Sequence, residues 1–570
     1  MTLPRVMLGL LLLATAALGL VGLDWGLPST SRRELMLPGA APEQLAAIAR
    51  AGTRSADQAL STEDDNIATD QQMLKTYFRV LLHSCDPDEY LVLKGLRGLP
   101  RLDPGVYRYG GPFLGGAALF IAAGHVLGLT HLTADAAWYL EHPEEFARLY
   151  MAMRLFVVAL ALLVVYAAFR FGRLWGGEAA GLLTAALVAF MPATVNWLHV
   201  AKPHLPACAF LFLAAEMAVR YYRGEVHPRR LLILSGLFSG LAAAFALSFA
   251  PVVLIPATAI VAARRRQPVR LLGHAAIIGA CALAVVLVTN PWYVTRFSAV
   301  AAEARGISSD VAERYGANLA AAGGAMAALH ATAGFFTRLL PLAMSWPMAG
   351  LGLLAGLVAV MRHREALLFV PAWLAAAAMV IWSVGLSLEP NVARFALVPA
   401  MLLAPAFAAT AVGLLKDSAR TQILLPLAAA LVVAVFSLPY LAVYRYDSLP
   451  DNTRYRAGVE LAERLGLNRP DGPTITLGTI MTPTAYNLPP IPLARCRLVV
   501  LSELRPPAET ELPQYLLLDS LVEARRPRGW WEGLYQPVAE LPAPFVDRHA
   551  TWKFAPMSLA NFEFTLLSKK

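Results

Sequence analysis

Apolar runs of about 20 residues, broken by short polar stretches, recur along most of the 570-residue chain, and a helix needs a run of that length to cross a bilayer at 1.5 Å per residue. The pattern predicts eleven transmembrane helices, at about 3–23, 149–170, 178–198, 204–222, 231–247, 249–263, 271–289, 339–360, 366–386, 394–414 and 422–443. The first run follows Arg5 and reads as a cleaved signal peptide or as an uncleaved span; the absence of a small-x-small cleavage site favours the span. Either version puts residue 24 outside. Leu231–Ala263 is flanked at both ends by arginine clusters, so it crosses an even number of times, and its 33 residues allow only a short hairpin turning near Ser248 to Pro251.

Residues 24–148 form a long polar loop that contains one further apolar segment, Phe113–Leu129. If that segment crossed, Asp135, Glu141, Glu144 and Glu145 would be cytoplasmic and every later arginine-rich loop would be outside. It therefore reads as a juxtamembrane or re-entrant helix, which is tolerated where protein buries it. After Tyr444 the pattern changes to short runs, TITLGTI, CRLVVLSEL, QYLLLDS and FEFTLLSK, which read as strands, with a helix near Arg456 to Leu465. The expected organisation is a polytopic α-helical membrane domain over 1–443 and a C-terminal extracytoplasmic α/β domain over 444–570.

Composition sharpens this picture. The chain is 57% hydrophobic and 15% charged, which excludes a soluble globular protein, and its net charge is +9. Arg170, Arg173, Arg220, Arg223, Arg229, Arg230, Arg264, Arg265, Arg266, Arg270, Arg362, Arg364, Lys416 and Arg420 all lie between spans, against four acids in the same loops (Glu178, Glu225, Glu365 and Asp417). That surplus accounts for the whole net charge, so no basic patch remains for nucleic acid, and the positive-inside rule makes these loops cytoplasmic. The four cysteines have no metal-ligand spacing; Cys85 and Cys496 both fall outside the cytoplasm, where a disulfide or two thiols would serve.

Three places carry candidate chemistry. In CDPDEYLVLKGLRGLPRLDPGVYRYGGPFLGG, residues 85–116, Asp88 and Glu89 stand on a loop just before an apolar segment, where a carboxylate beside a low-dielectric boundary can act as a general base. The plainer reading is one more acidic pair on a solvated loop. In NWLHVAKPHLPACAF, residues 196–210, Lys202 is one of seven lysines and sits on an external turn with His199 and His204; it can hold a membrane-borne phosphate or simply snorkel at a helix end. In LSLEPNVARFALVPAML, residues 386–402, Arg394 can grip a phosphate with its planar fork or pair with Glu389 at the interface. No glycine-rich phosphate loop, Ser-His-Asp order or zinc motif appears.

Taken together, PDEY at Pro87–Tyr90, the aromatic and proline-containing YRYGGPFLGG, and Arg154 opening the span MAMRLFVVALALLVVY resemble the bacterial GT-C glycosyltransferases, the superfamily of protein mannosyltransferases and lipid A aminoarabinose transferases. The arginine-flanked hairpin and the external C-terminal domain fit as well. The resemblance implies a multi-pass protein of the bacterial plasma membrane that moves one sugar, with inversion, from a polyprenyl-phosphate donor to an acceptor outside the cytoplasm. It implies Asp88 as base, Glu89 as its orienting partner, and Lys202, His204 and Arg394 on the lipid phosphate. Two departures stand out. The Asp-Glu pair comes some sixty residues after the first span, behind a competing cluster Glu63 to Asp65, and His204 replaces the usual acid after the third span, which leaves no indicated metal or other cofactor. The rival reading is a transporter or flippase, which calls for ionisable residues inside spans; Glu216 is the main one. Trp530, Trp531 and Tyr535 read as a structural aromatic cluster or as a platform for a sugar ring.

Overall fold

The computed structural model describes residues 3–54, 70–315, 319–387, 390–414, 419–469, 471–503, 506–525, 529–543, 560 and 562–570. Glu63 to Asp65, Glu389, Lys416 and Asp417 lie outside the described residues. The chain divides into two compact units, the first formed by Met1–Val21, Gly95–Ala118 and Arg154–Leu441, the second by Gly22–Lys94, Leu119–Met153 and Ala442–Lys570.

The first unit is a bundle of apolar helices. Among the described residues, seven helices are long and apolar enough to cross a membrane, or eight if a bent pair is taken as one span, which makes this a multi-pass membrane protein. One of the seven, Pro143–Phe190, is really two. At Gly176 (φ −163°, ψ 31°) and Gly177 (φ 69°, ψ −160°) the backbone leaves helical geometry. Beyond that point the chain runs back on itself: a Cβ on Gly172 would fall 2.4 Å from the Thr184 hydroxyl, and one on Gly181 would fall 2.8 Å from the Phe169 carbonyl oxygen. Residues so far apart along one straight helix could not meet. Pro228–Phe245 and Val370–Val384 also stand where spans were expected, the first opening with Arg229 and Arg230 and the second only 15 residues long. The hairpin turn expected near Ser248 to Pro251 is a 3-10 segment, Leu247–Val253.

One expectation needs correction. The run 339–360 is not one straight span: Gly324–Met344 and Trp346–Arg362 meet at an angle of 109°. Ser345 makes the corner with φ 84°, ψ 155°, and Pro347 begins the next helix, where its missing N–H costs nothing. The stretch from 290 to 338, between two of the expected spans, forms helices at Phe297–Tyr315 and Gly324–Gly334. Its ion pairs fix the segment that follows Asp88 and Glu89 in sequence: Arg296 reaches Asp103 at 3.0 Å, and Glu303 accepts from the Arg108 Nε at 2.7 Å and the Tyr107 N–H at 2.6 Å. The glycine pair of YRYGGPF is explained by the same packing, since a Cβ on Gly110 would lie 1.6 Å from the Ala244 carbonyl oxygen and one on Gly111 would lie 1.7 Å from that of Thr289. The helix that follows, Gly111–Val126, has 16 residues, short of a full crossing.

The second unit carries the sheet. Its strands are β1 (Ile475–Thr479), β2 (Cys496–Val500), β3 (Tyr515–Asp519), β4 (Tyr535–Leu541) and β5 (Phe564–Lys569), in the order β2-β1-β3-β5-β4. β1 pairs parallel with β2 and β3, while β5 pairs antiparallel with β3 and β4. The four sequence runs supply β1, β2, β3 and β5, and the expected helix is Thr453–Arg464. β4 was not foreseen: Pro537 sits in it, which the edge position tolerates, and the register shifts between Pro537 and Ala539. Trp531 and Tyr535 are buried in the sheet's core with Leu516, Leu518 and Leu567, and the Trp530 indole donates to the Ser502 carbonyl at 2.9 Å, so this cluster is structural. Burial pushes the Tyr535 phenol up to about 12. The cysteines make no disulfide; Cys85 and Cys496 are both buried thiols.

Gly177 has a backbone conformation that an L side chain adopts only with strain. Gly177→Ala is expected to lower the apparent melting temperature of the purified protein by the equivalent of about 1–3 kcal/mol, whereas Gly279→Ala, whose added Cβ would meet nothing within 4 Å, leaves it unchanged.

Candidate functional site

The acidic pair belongs to the second unit and is not on a loop. Asp88 and Glu89 occupy the first turn of the helix Pro87–Gly98, where the positive end of the helix dipole favours carboxylates. Asp86 is the residue that starts this helix: its Oδ1 accepts the Asp88 N–H at 3.0 Å and its carbonyl accepts the Glu89 N–H at 3.1 Å. Ser84 closes the turn from the other side, donating to the Asp86 carbonyl at 2.7 Å. Asp88 remains half-buried, whereas Glu89 is fully buried. Of the two, only Asp88 is open to a substrate.

His83 lines up beside this helix. Its ring stacks on Tyr90, with centroids 3.6 Å apart and planes 19° from parallel. The ring is buried and its Nε2 has no hydrogen-bond partner among the described residues. Burial, with the guanidiniums of Arg79 and Arg32 adding to it, holds its pKa well below the usual imidazole value. Arg32 is itself spent on structure, donating to the carbonyls of Val80, His83 and Gly26.

The three cationic candidates belong to the first unit. Lys202 is buried, with its Nζ 5.4 Å from the centre of the Trp197 ring. His204 begins the helix His204–Tyr222 and sets its ring edge-on to Phe395, centroids 5.4 Å apart. The Arg394 guanidinium lies over the same ring at 4.9 Å. The structure thus brings His204 and Arg394 together around Phe395. His199 serves another purpose: its ring nitrogens lie 2.7 Å from the Val195 carbonyl and 2.9 Å from that of Val21, tying the turn to the end of Leu3–Leu20.

Sequence reasoning missed Arg338, which stands in a π-turn, Phe335–Leu339, and donates to the Ser387 carbonyl. The segments Pro192–Trp197, Phe335–Met344 and Pro390–Ala396 pack against one another, and they share a property. Among the described residues, Thr194 Oγ1, Trp197 Nε1, Arg338 Nε, Ser345 Oγ, Asn391 Oδ1 and Arg394 Nε are buried without a partner. Three of these six are pure donors, two are hydroxyls that can donate, and only the Asn391 oxygen is a pure acceptor. A group of leftover donors each costing about 1–3 kcal/mol calls for an acceptor-rich ligand. The only sequence signal for Arg338 was a basic residue within an apolar stretch.

Glu216, the acid expected to mark a transport path, is fully buried between Arg170 at 2.7 Å and Arg220 at 2.9 Å. It is thus the acid shared by two arginines. Among the described residues no group of three or more His, Cys, Asp or Glu side chains is placed to hold a metal ion.

No family model matches the chain, and no curated protein matches it. Among solved structures it is similar to the Archaeoglobus fulgidus oligosaccharyltransferase in a complex with Zn and sulfate, at 14% identity and a TM-score of 0.42, over 78% of this chain and 62% of that one. A second structure of that oligosaccharyltransferase, AglB with an inhibitory peptide and a dolichol-phosphate, matches at 13% identity and a TM-score of 0.40, over 80% of this chain and 65% of that one. ArnT from Cupriavidus metallidurans bound to undecaprenyl phosphate matches at 13% identity and a TM-score of 0.39, over 86% of this chain and 95% of that one. The chain therefore spans less than two thirds of the archaeal protein and nearly all of ArnT. These neighbours are GT-C glycosyltransferases, the superfamily that the sequence motifs resemble. Likeness at this level says nothing of chemistry, which rests on the residues above.

Because the pKa of His83 is lower in the folded chain than in the unfolded one, protons bind the unfolded chain first. Its contribution is complete above about pH 6.5 and is lost as pH falls toward the folded value, by at most about 1.4 kcal/mol per pH unit. His83→Phe keeps the stack on Tyr90 and is expected to flatten the loss of apparent melting temperature between about pH 7.5 and about pH 5.5 relative to the wild type.

Proposed function

We propose that this protein is a membrane glycosyltransferase that moves a single sugar from a polyprenyl-phosphate donor to an acceptor hydroxyl. The observation that carries the reading is the concentration of unpartnered donors among the described residues, above all the Nε–H groups of Arg338 and Arg394, in segments that pack together within an apolar bundle. A phosphate on a lipid supplies both the oxygens those donors lack and a tail suited to apolar helices. The sequence resemblance supports the same donor class.

The assigned chemistry is a single displacement. Asp88 takes the proton of the acceptor hydroxyl, the oxygen forms a bond to the anomeric carbon, and the bond from that carbon to the phosphate oxygen breaks with its electron pair going to the departing polyprenyl phosphate. Attack from the face opposite the leaving group inverts the anomeric centre. Arg394 and Arg338, with Lys202 and His204, stabilise the charge that grows on the phosphate, a role that is strong where water is excluded. Glu89, buried in the same helical turn as Asp88, positions that carboxylate. The reading places the protein in a bacterial plasma membrane with the arginine-rich loops on the cytoplasmic side and the β-sheet outside. The 1–443 and 444–570 divisions then correspond to the donor-holding part and a part available to select the acceptor.

The test is transfer from a panel of radiolabelled polyprenyl-phosphate monosaccharides in membranes that contain matched amounts of each variant. Asp88→Asn is expected to lower transfer by about 10²–10⁴-fold, and Arg394→Ala or Arg338→Gln by about 10²–10³-fold, while Asp65→Asn stays at the wild-type rate. Loss in Asp65→Asn with activity kept in Asp88→Asn would overturn the assignment of the base. Wild-type rates in both arginine variants would overturn the phosphate site.

A further inference from the structure

The arginines between spans fall into two chemically different sets. Arg170, Arg173, Arg220 and Arg223 are all paired with carboxylates, the last through two bonds to Glu365 at 2.8 and 2.7 Å. Arg229, Arg230, Arg264, Arg265, Arg266 and Arg270 make no ion pair among the described residues. These six sit at the adjoining ends of Pro228–Phe245, Leu254–Arg264 and Pro268–Thr289. The three helices pack against one another, and His274, in the second turn of the last of them, bonds the Tyr221 hydroxyl at 2.7 Å. Beside them lies an open hollow of about 510 Å³, lined by His227, Pro228, Arg229 and Arg230. The Arg264 Nε is buried and has no partner among the described residues.

We propose that this cluster holds the phosphate headgroup of an anionic phospholipid. Six like charges with no ion-pair partner among the described residues repel one another, and a bound phosphate removes that repulsion while supplying oxygens to the guanidiniums. The lipid source follows from the neighbouring helix. Of all its residues only Ile278 is buried, and Val269 and Leu272 in its first turns are 82% and 68% exposed, so the helix that carries Arg270 presents an apolar flank for acyl chains directly beside the headgroup site. Inorganic phosphate offers the same oxygens without that anchorage. The inference stands apart from the proposed sugar transfer, since none of these residues has a role in it.

The experiment follows the apparent melting temperature of the purified full chain in detergent as short-chain phosphatidylglycerol, phosphatidylcholine or inorganic phosphate is added. Phosphatidylglycerol is expected to raise it in the wild type and in Arg173→Gln, a member of the paired set, and to leave the R265Q/R266Q/R270Q variant unmoved. Phosphatidylcholine and phosphate should have no such effect. If the triple variant does not fold, Arg270→Gln replaces it; its guanidinium donates to the Gln267 side-chain oxygen at 3.2 Å, and the change should weaken the apparent affinity for phosphatidylglycerol about fivefold. An unchanged response in the arginine variants, an equal rise with inorganic phosphate, or no rise in the wild type would overturn the proposal.

Discussion

A polar group shut away from water must find a partner within the protein or be given one. Most of the first unit obeys the first half of that rule. Arg223 grips Glu365 with a two-point bond, the Thr184 hydroxyl donates to the Ala180 carbonyl at 2.7 Å, and the Ser235 hydroxyl donates to the Ala214 carbonyl at 3.1 Å. The segments around Phe395 break it mainly on the donor side, since three of the six leftover atoms only donate, two can donate and one only accepts.

The fold's interruptions lie close to these places. The corner at Ser345 joins two helices at 109°, the π-turn at Phe335–Leu339 widens the helix that carries Arg338, and Met191 separates the short helix Pro192–Trp197 from the one before it. Each interruption frees backbone groups and redirects side chains, and neither is useful in a plain span. At the opposite extreme, the reversal at Gly176–Gly177 is purely architectural: it returns the chain so that Gly172 and Gly181 can face the neighbouring turn at a distance that no larger residue allows.

How much of this was readable in the sequence depends on the range of the interactions involved. Apolar runs and arginine placement are local signals, and they located the helical segments, the short hairpin at Leu247–Val253 and four of the five strands. β4 was hidden because Pro537 and exposed Gln536 and Val538 interrupt its alternation. The corner at Ser345 was hidden because a single residue with positive φ leaves hydropathy untouched. Among the candidate residues, Asp88, Lys202, His204 and Arg394 could be picked out of the sequence by chemical type alone. That His204 and Arg394 meet on one phenyl ring was not, because the two positions come from separate parts of the chain. Arg338 escaped notice for the same reason, since its significance lies in the company of Trp197 and Asn391 rather than in its own neighbours in sequence.

The leftover donors near Phe395 also limit what can settle against them. A guanidinium Nε–H and an indole N–H donate and never accept, so Arg338, Arg394 and Trp197 cannot satisfy one another. A purely hydrocarbon occupant would leave all three nitrogens as costly as before, so lipid tails alone cannot complete this part of the bundle.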